Sequence, residues 1–295
     1  MSARRAFAAF VLACVSSLGA SSAGAFDFGS IINKAVDTGK QLHEANRDFT
    51  DDEEVALGEG LAAGFLGAAP LRKDPELQRY VNRVGRWLAL HSGRPDLPWT
   101  FGVVDTETVN AFAMPGGTVL ITYGLVKRMD NEAELAGALA HEIAHVVKKH
   151  QLTAIRSDRN SSALAGIGQE VAGQAIARRG NDPVGLKSWG ANAGVELIKN
   201  GVFLRPLDRS MEYEADKLGV VIAARSGYDP YGLPAVLEML EQVKNDGSGL
   251  SVLDTHPAPA DRISELEPFV PGVERDVPAP QLLAARFRHE VHAAP

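Results

Sequence analysis

Apolar positions recur at helical spacing through most of this chain. The clearest case follows Asp74 and Pro75, where the apolar positions are Leu77, Val81, Val84 and Leu88. Residues three and four apart share one face of an α-helix, so this spacing predicts an amphipathic helix capped by Asp74. The acidic run 51–54 predicts an earlier helix that ends near Gly67, because carboxylates stabilise the N-terminal end of a helix.

The pattern changes between residues 99 and 122. Three short segments, 99–104, 109–113 and 118–122, are apolar or rich in β-branched residues, and a Gly-Gly pair precedes the last one. Such segments bounded by glycine are typical of strands joined by turns. Together with the helices on either side, they predict an α+β fold that is mainly helical, with one small three-stranded sheet.

Residues 131–150 predict the most deeply buried helix. Asn131 followed by Glu134 has the spacing of a capping box, which marks a helix start. Apolar residues then cover almost every face of this helix, as expected for a helix in a protein interior. Further helices are predicted at 208–225, 229–247 and 257–266.

Composition places the chain among ordinary globular proteins. It has 295 residues, 45% hydrophobic and 23% charged, with a formal net charge of −7. This mixture excludes wholesale disorder, and the negative charge argues against a nucleic-acid partner, which would need a basic face. The single cysteine, Cys14, excludes a disulfide framework and a cysteine-based zinc site.

The N-terminus resembles an export signal. Arg4 and Arg5 precede a short apolar stretch, and small residues predict cleavage after Ala25. The stretch is shorter than the roughly 20 residues that span a membrane. We therefore expect a mature chain without a transmembrane segment, in the periplasm or another extracytoplasmic space. A lipoprotein signal with lipid on Cys14 is the less favoured alternative, which leaves peripheral or lipid-anchored membrane association open.

Residues 141–145, His-Glu-Ile-Ala-His, carry the chemistry. On a helix His141 and His145 lie on one face, so both imidazoles can reach one metal ion. Glu142 lies beside them, where it can accept a proton from metal-bound water, as in zinc proteases. Burial of three polar side chains in an apolar helix also favours a bound metal, because these side chains would cost folding free energy if they were buried without partners. The alternative is an internal hydrogen-bonded cluster.

A catalytic zinc needs a third protein ligand, and a later helix offers one. Glu212 and Asp216 share a helix face at i and i+4. We predict that Glu212 binds one zinc ion per chain with the two histidines, and that Asp216 fixes the tautomer of a ligand imidazole. Glu214 is the competing ligand, but it points away from the face of Asp216. The alternative is that both acids are solvated surface residues.

These motifs together resemble peptidase family forty-eight, the gluzincin group that includes the Ste-type CAAX prenyl proteases, HtpX, Oma and BepA. The resemblance covers about residues 50–267 and rests on four elements: His141-Glu142-x-x-His145, Glu-x-Glu-Ala-Asp at 212–216, Asn110 to Gly117, and Thr255-His256-Pro257 with Arg262-Ile263. Soluble bacterial envelope members fit best, because the multi-span members have transmembrane helices that this chain lacks. We expect no tetratricopeptide array.

The resemblance implies a domain organisation and a function. It implies a zincin-type zinc metalloprotease domain at 51–270, and the N-terminal pattern predicts that a signal peptide at 1–25 and an N-terminal segment at 26–50 precede it. A tail at 271–295 follows and is expected to be peripheral. The implied function is zinc-dependent endopeptidase activity on unfolded or misassembled envelope proteins, in protein quality control. The alternatives are a zinc-stabilised periplasmic chaperone or assembly factor with little proteolysis, and a helical core protein without metal.

The resemblance also implies roles for single residues. Glu142 is the general base. His256 lies near the metal, where it either stabilises the oxyanion or fills the open zinc position and holds the enzyme latent; helix capping is the alternative. The substrate is expected to bind as an added strand at a sheet edge, which is formed by Asn110, Ala111, Phe112 and Ala113.

Two further residues keep alternative roles, and a third is expected to have none. Asn110 either holds a substrate carbonyl or is a turn residue. Arg262 either assists the oxyanion or pairs with an acid. His150 lies nine positions after the first motif histidine, so a continuous helix would turn it to another face, and we expect it at the surface.

Overall fold

The computed structural model describes residues 48–157, 206–243, 251–277 and 279–292. Within these ranges the helices are α1 (Asp51–Ala68), α2 (Pro75–Leu90), α3 (Tyr123–Val126), α4 (Glu132–Val147), α5 (His150–Ser157), α6 (Arg209–Arg225), α7 (Gly232–Leu240), α8 (Val252–Thr255), α9 (Pro259–Leu266), α10 (Val270–Glu274) and α11 (Ala284–His292). The mainly helical α+β class is confirmed.

The three predicted strands form one mixed sheet. They are β1 (Thr100–Val104), β2 (Ala111–Met114) and β3 (Thr118–Thr122), in the spatial order β1-β3-β2. β3 pairs in parallel with β1 and antiparallel with β2, which leaves β2 at an edge of this sheet. Gly116, at φ 79°, turns the chain between β2 and β3, and a Cβ there would lie 2.4 Å from the Cα of Val55.

Helix α4 lies in the centre of the fold, as its apolar pattern predicts. Asn131 caps it, because the Oδ1 atom accepts the backbone N–H of Glu134 at 3.1 Å. The Glu134 carboxylate accepts the side-chain Nδ2–H of Asn131 at 2.6 Å and the backbone N–H of Asp130 at 2.9 Å. All residues from 132 to 146 are buried, beneath helices α2, α6 and α7 and strand β2.

Two helices in the C-terminal half begin later than predicted. Helix α7 starts at Gly232, because Asp229 Oδ1 instead accepts the backbone N–H of Tyr231 at 2.9 Å and closes a turn. Helix α9 starts at Pro259, two residues after the predicted position. The predicted bounds of α6 are confirmed within one residue.

The expectation of a peripheral tail is wrong for helix α11. Phe287 and Val291 of this helix are buried in the main core. Arg286 pairs with the buried carboxylate of Glu132, and the Leu282 carbonyl accepts the backbone N–H of Glu132 at 3.0 Å. The tail thus packs against the start of α4 and adds to the core around it.

Several predicted features lie outside the described residues. They are the signal peptide 1–25 with Cys14, most of the segment 26–50, and the residues 158–205 and 244–250. In the part of the chain that the structure describes, none of the helices is long and apolar enough to span a membrane.

Candidate metal centre

Helix α4 directs two imidazoles to one point. His141 and His145 are about one helical turn apart, and their Nε2 atoms lie 3.0 Å from each other. The two residues are only 4% and 1% exposed. Burial lowers the pKa of His145 well below its ordinary value, so the ring is neutral and keeps a lone pair that a metal can use.

Glu212 of helix α6 reaches the same point. Its Oε1 lies 3.6 Å from His145 Nε2, and its Oε2 lies 3.6 Å from His141 Nε2. Gly219, two turns later on the same face, permits this approach, because a Cβ there would lie only 2.9 Å from the backbone nitrogen of His141. Burial raises the pKa of Glu212, but His256 and His145 outweigh it and hold the pKa well below the ordinary range.

His256 follows helix α8 and completes the group. Its Nδ1 lies 2.7 Å from Glu212 Oε2. Burial lowers the pKa of His256, but the Glu212 carboxylate outweighs this effect and the net pKa is raised. Four residues each offer one ligand atom, all within 4.8 Å of one another: His141, His145, Glu212 and His256. His256 therefore lies where a fourth ligand would be.

These residues fit a zinc ion. Glu212 Oε1 is buried and has no hydrogen-bond partner among the described residues, although buried carboxylate oxygens are normally paired. A cation between the carboxylate and the imidazoles would be that partner. Ligands at the usual zinc distances lie about 3.3–3.6 Å apart in a tetrahedron. The observed 3.0–3.6 Å separations among His141, His145 and Glu212 are close to this.

Asp216 contacts His141 on the side of its ring that faces away from the ligand group, and Arg262 pairs with Asp216. Asp216 Oδ1 lies 2.9 Å from His141 Nδ1, the ring nitrogen away from the centre. Arg262 of helix α9 donates to both carboxylate oxygens of Asp216, from Nε at 2.9 Å and from Nη2 at 2.6 Å. Burial raises the pKa of Asp216, but the guanidinium outweighs it and the net pKa is well below the ordinary range. Of its two expected roles, Arg262 is thus found in the pairing with an acid.

Glu142 lies next to the ligand group in a narrow cleft. It is buried, and burial raises the pKa of its carboxyl group above the ordinary value. The residues that line the cleft include Glu142, His145 and His256 together with Ala111, Phe112 and Ala113 of β2. The edge strand that the sequence assigns to substrate therefore borders the base.

Asn110, directly before β2, is fully buried. Its Nδ2 donates to Thr255 Oγ1 at 3.3 Å, and its Oδ1 accepts the backbone N–H of Ala111 at 2.8 Å. These bonds connect the start of β2 to the residue before His256. They favour the structural alternative for Asn110 over contact with a substrate carbonyl.

The expectation that His150 lies at the surface is wrong. The residue is buried, with its Nδ1 3.0 Å from His145 Nδ1 and its Nε2 3.2 Å from Glu214 Oε2. Burial lowers the pKa of the His150 imidazole, against an opposing effect of Glu214. Helical counting misses this contact because α4 ends at Val147 and Lys149, at φ 57°, starts α5 in a new direction. Glu214, the competing ligand, therefore faces His150 and not the ligand group.

Comparison with known protein families decides where the chain belongs. The profile of Peptidase family M48 matches residues 75–270, about two thirds of the sequence. The chain belongs to peptidase family M48. The matched region of this M48 member includes both motif histidines, Glu142, Glu212 and His256.

Curated relatives are similar over the same region. The beta-barrel assembly-enhancing protease of Escherichia coli (strain K12) is 31% identical over 215 residues, which cover 72% of this chain and 43% of that protein. The mitochondrial metalloendopeptidase OMA1 of Schizosaccharomyces pombe is 31% identical over 199 residues, 66% of this chain and 53% of that protein. OMA1 of Arabidopsis thaliana is 32% identical over 186 residues, 63% of this chain and 34% of that protein. The chain thus spans about half the length of these relatives, or less.

Proposed function

We propose that this M48 member is a zinc-dependent endopeptidase that hydrolyses peptide bonds of unfolded or misassembled proteins. The observation that carries the proposal is the buried, unpaired Oε1 of Glu212, which faces His145 Nε2 with Glu142 in the cleft beside them. A carboxylate oxygen in that position is costly unless a cation binds it. A base next to that cation has a use in hydrolysis and none in a purely structural site.

His141, His145 and Glu212 would hold the zinc ion, which when bound supplies Lewis-acid activation of a water molecule and of the scissile carbonyl. Glu142 takes the proton of the attacking water and then delivers it to the leaving amine nitrogen. Its raised pKa brings the carboxylate closer to the basicity that proton transfer needs near neutral pH. Asp216 accepts the Nδ1–H of His141 and so keeps Nε2 available as a ligand.

An extended peptide fits this cleft better than a folded surface does. Strand β2 is an edge strand, and its residues Ala111 to Ala113 line the cleft beside Glu142. A substrate that pairs with β2 through its backbone needs an extended segment, which unfolded or misassembled proteins offer. The names of the relatives, a protease that enhances beta-barrel assembly and a metalloendopeptidase, support polypeptide substrates. The predicted export signal supports a periplasmic or other extracytoplasmic location.

We infer that His256 keeps the resting centre closed. Its Nδ1 lies within the group of ligand atoms and contacts Glu212 directly. A catalytic zinc keeps one position open for water and substrate, whereas four protein ligands leave none open. Activation then requires that the His256 ring leave the group.

Hydrolysis of casein by the purified protein tests the proposed function. Wild-type protein and a His256→Ala variant are compared, because a closed resting centre lowers wild-type activity and the variant opens it. We expect about one zinc per chain and complete loss of activity with a chelator. Glu142→Gln, alone or with His256→Ala, should lower the rate at least about 100-fold and leave zinc bound. Glu59→Gln, at an exposed position of α1, is the matched control.

Each contrary result has a distinct meaning. Cleavage by Glu142→Gln at the wild-type rate would refute the assigned base. Zinc binding without cleavage in any variant, together with suppressed aggregation of an unfolded client, would identify the chaperone alternative. Far less than one zinc per chain would identify a helical core protein without metal.

A further inference from the structure

His150 is brought to the metal centre by a change of chain direction. Helix α4 ends at Val147, Lys149 adopts a left-handed backbone conformation, and α5 begins at His150. The ring of His150 then lies against the ring of His145, with their centroids 5.1 Å apart and their planes at 73°. Its side chain is 4% exposed. A buried polar ring needs partners for both of its nitrogens.

Each ring nitrogen of His150 has its own hydrogen-bond partner. His145 Nε2 faces the ligand group, 3.0 Å from His141 Nε2, so its Nδ1 points to the opposite side. That Nδ1 lies 3.0 Å from His150 Nδ1, and the other nitrogen of His150 lies 3.2 Å from Glu214 Oε2. Lys148 Nζ in turn lies 2.5 Å from Glu214 Oε1. The sequence of contacts runs from the ligand group to a half-exposed carboxylate at the surface.

The hydrogen-bond roles along these contacts follow from the chemistry of imidazole. If His145 uses Nε2 as a ligand, its Nδ1 carries the proton and donates. His150 Nδ1 must then accept, so the proton of His150 is on Nε2, where it donates to the Glu214 carboxylate. Reversal of either bond would place a proton on the nitrogen that a metal needs.

We propose that His150 is a positioning residue that fixes the tautomer and orientation of His145 for zinc, and that Glu214 fixes His150 in the same way. This inference rests on the zinc site of the proposed function. The two motif histidines are then supported differently, since His141 contacts a carboxylate that is itself paired with Arg262, whereas His145 contacts a neutral ring. Loss of a partner of this kind typically lowers metal affinity 10–100-fold.

Two substitutions at His150 separate positioning from packing. In His150→Asn the amide oxygen can take the place of Nδ1 and accept from His145. In His150→Gln the amide reaches the place of Nε2, so the contact with Glu214 is kept and the acceptor for His145 is lost. Zinc affinity of the full-length, metal-free protein is measured by competition with a chromophoric chelator, and thermal unfolding without metal verifies the fold.

We expect zinc affinity within about threefold of wild type for His150→Asn and a 10–100-fold loss for His150→Gln. Equal affinities of the two variants, with similar metal-free unfolding temperatures, would overturn the inference. If both variants fail to fold, Glu214→Gln and Glu214→Leu replace them at a half-exposed position, and only the leucine variant should lose affinity. Equal affinities there would overturn it as well. A wild-type protein that binds no zinc would instead refute the proposed function, and this inference with it.

Discussion

The buried pair of Asp216 and Arg262 allows a quantitative test of how the centre is built. Arg262 has a side chain only 3% exposed and makes two charge-assisted hydrogen bonds to Asp216, at 2.9 and 2.6 Å. Asp216→Val leaves that guanidinium without its carboxylate in a low-dielectric interior. Breaking such a pair from one side costs about 3–5 kcal/mol of unfolding free energy. For a domain of this size, that corresponds to a decrease of roughly 6–20 °C in Tm.

A second substitution separates stability from metal binding. In Asp216→Val/Arg262→Met neither charge remains, and apolar replacement of a whole buried pair is often neutral or stabilising. We expect the double variant to regain most of the lost unfolding free energy. It should not regain zinc affinity, because both variants lack the acceptor 2.9 Å from His141 Nδ1. Both should bind zinc about 10–100-fold more weakly than wild type.

The assay is urea unfolding in the presence of a chelator, which removes any contribution of bound metal, followed by zinc competition. The matched control is Asp261→Ala, because Arg209 and Asp261 join the same two helices, α6 and α9, at 3.2 Å with side chains 71% and 46% exposed. That exposed pair should contribute less than about 1 kcal/mol. If the double variant is as unstable as Asp216→Val, the unpaired charge of Arg262 is not the cause of the lost unfolding free energy. If the double variant binds zinc as tightly as wild type, Asp216 does not position His141 as a ligand.

Two substitutions test the packing that brings the ligands together. Gly219→Ala places a Cβ 2.9 Å from the backbone of α4, and we expect it to lower both zinc affinity and the metal-free Tm, since overpacking costs about 1–3 kcal/mol. Gly67→Ala, where a Cβ meets nothing within 4 Å, should leave affinity unchanged; equal effects at the two sites would contradict the close approach. Phe287→Ala in the docked tail should cost about 3–5 kcal/mol in chelator-treated urea unfolding, whereas Leu282→Ala, at a half-exposed residue, should cost far less. A small effect of Phe287→Ala would contradict the docked tail.

The elements that sequence patterning predicts well are those with strong local signals. The start of α2 follows from Asp74, whose Oδ1 accepts the backbone N–H of Leu77 at 3.0 Å, and α4 follows from a nearly continuous apolar run. The docking of α11 was not predicted, although Leu283, Phe287 and Val291 recur at i, i+4 and i+8. The spacing alone does not reveal that Glu132 is buried and needs Arg286 as a partner.

The residues of the candidate site also fall into those that local sequence patterns predict and those that only tertiary contacts reveal. His141 and His145 are predictable because both lie on one helix, and Glu212 with Asp216 because both lie on another. The role of His150 depends on the backbone of Lys149, and no periodicity relates it to His145. Contacts across a break between helices are tertiary features, so they require the coordinates of both helices.

Supporting residues from distant segments couple the proposed zinc site to the fold. His141 is supported by Asp216 of α6, and His145 by His150 of α5, while Glu212 contacts His256 beyond α8. An unfolded chain keeps the His-Glu-x-x-His segment but loses these supports, so zinc binds the native state more tightly and stabilises it. When free zinc is well above both dissociation constants, a tenfold loss of affinity in the native state alone lowers the zinc-dependent part of the unfolding free energy by about 1.4 kcal/mol. In variants of the supporting residues, the measured loss of zinc affinity and the loss of zinc-dependent unfolding free energy should therefore agree. A core variant such as Phe287→Ala should instead lower the metal-free unfolding free energy and leave the zinc-dependent part unchanged.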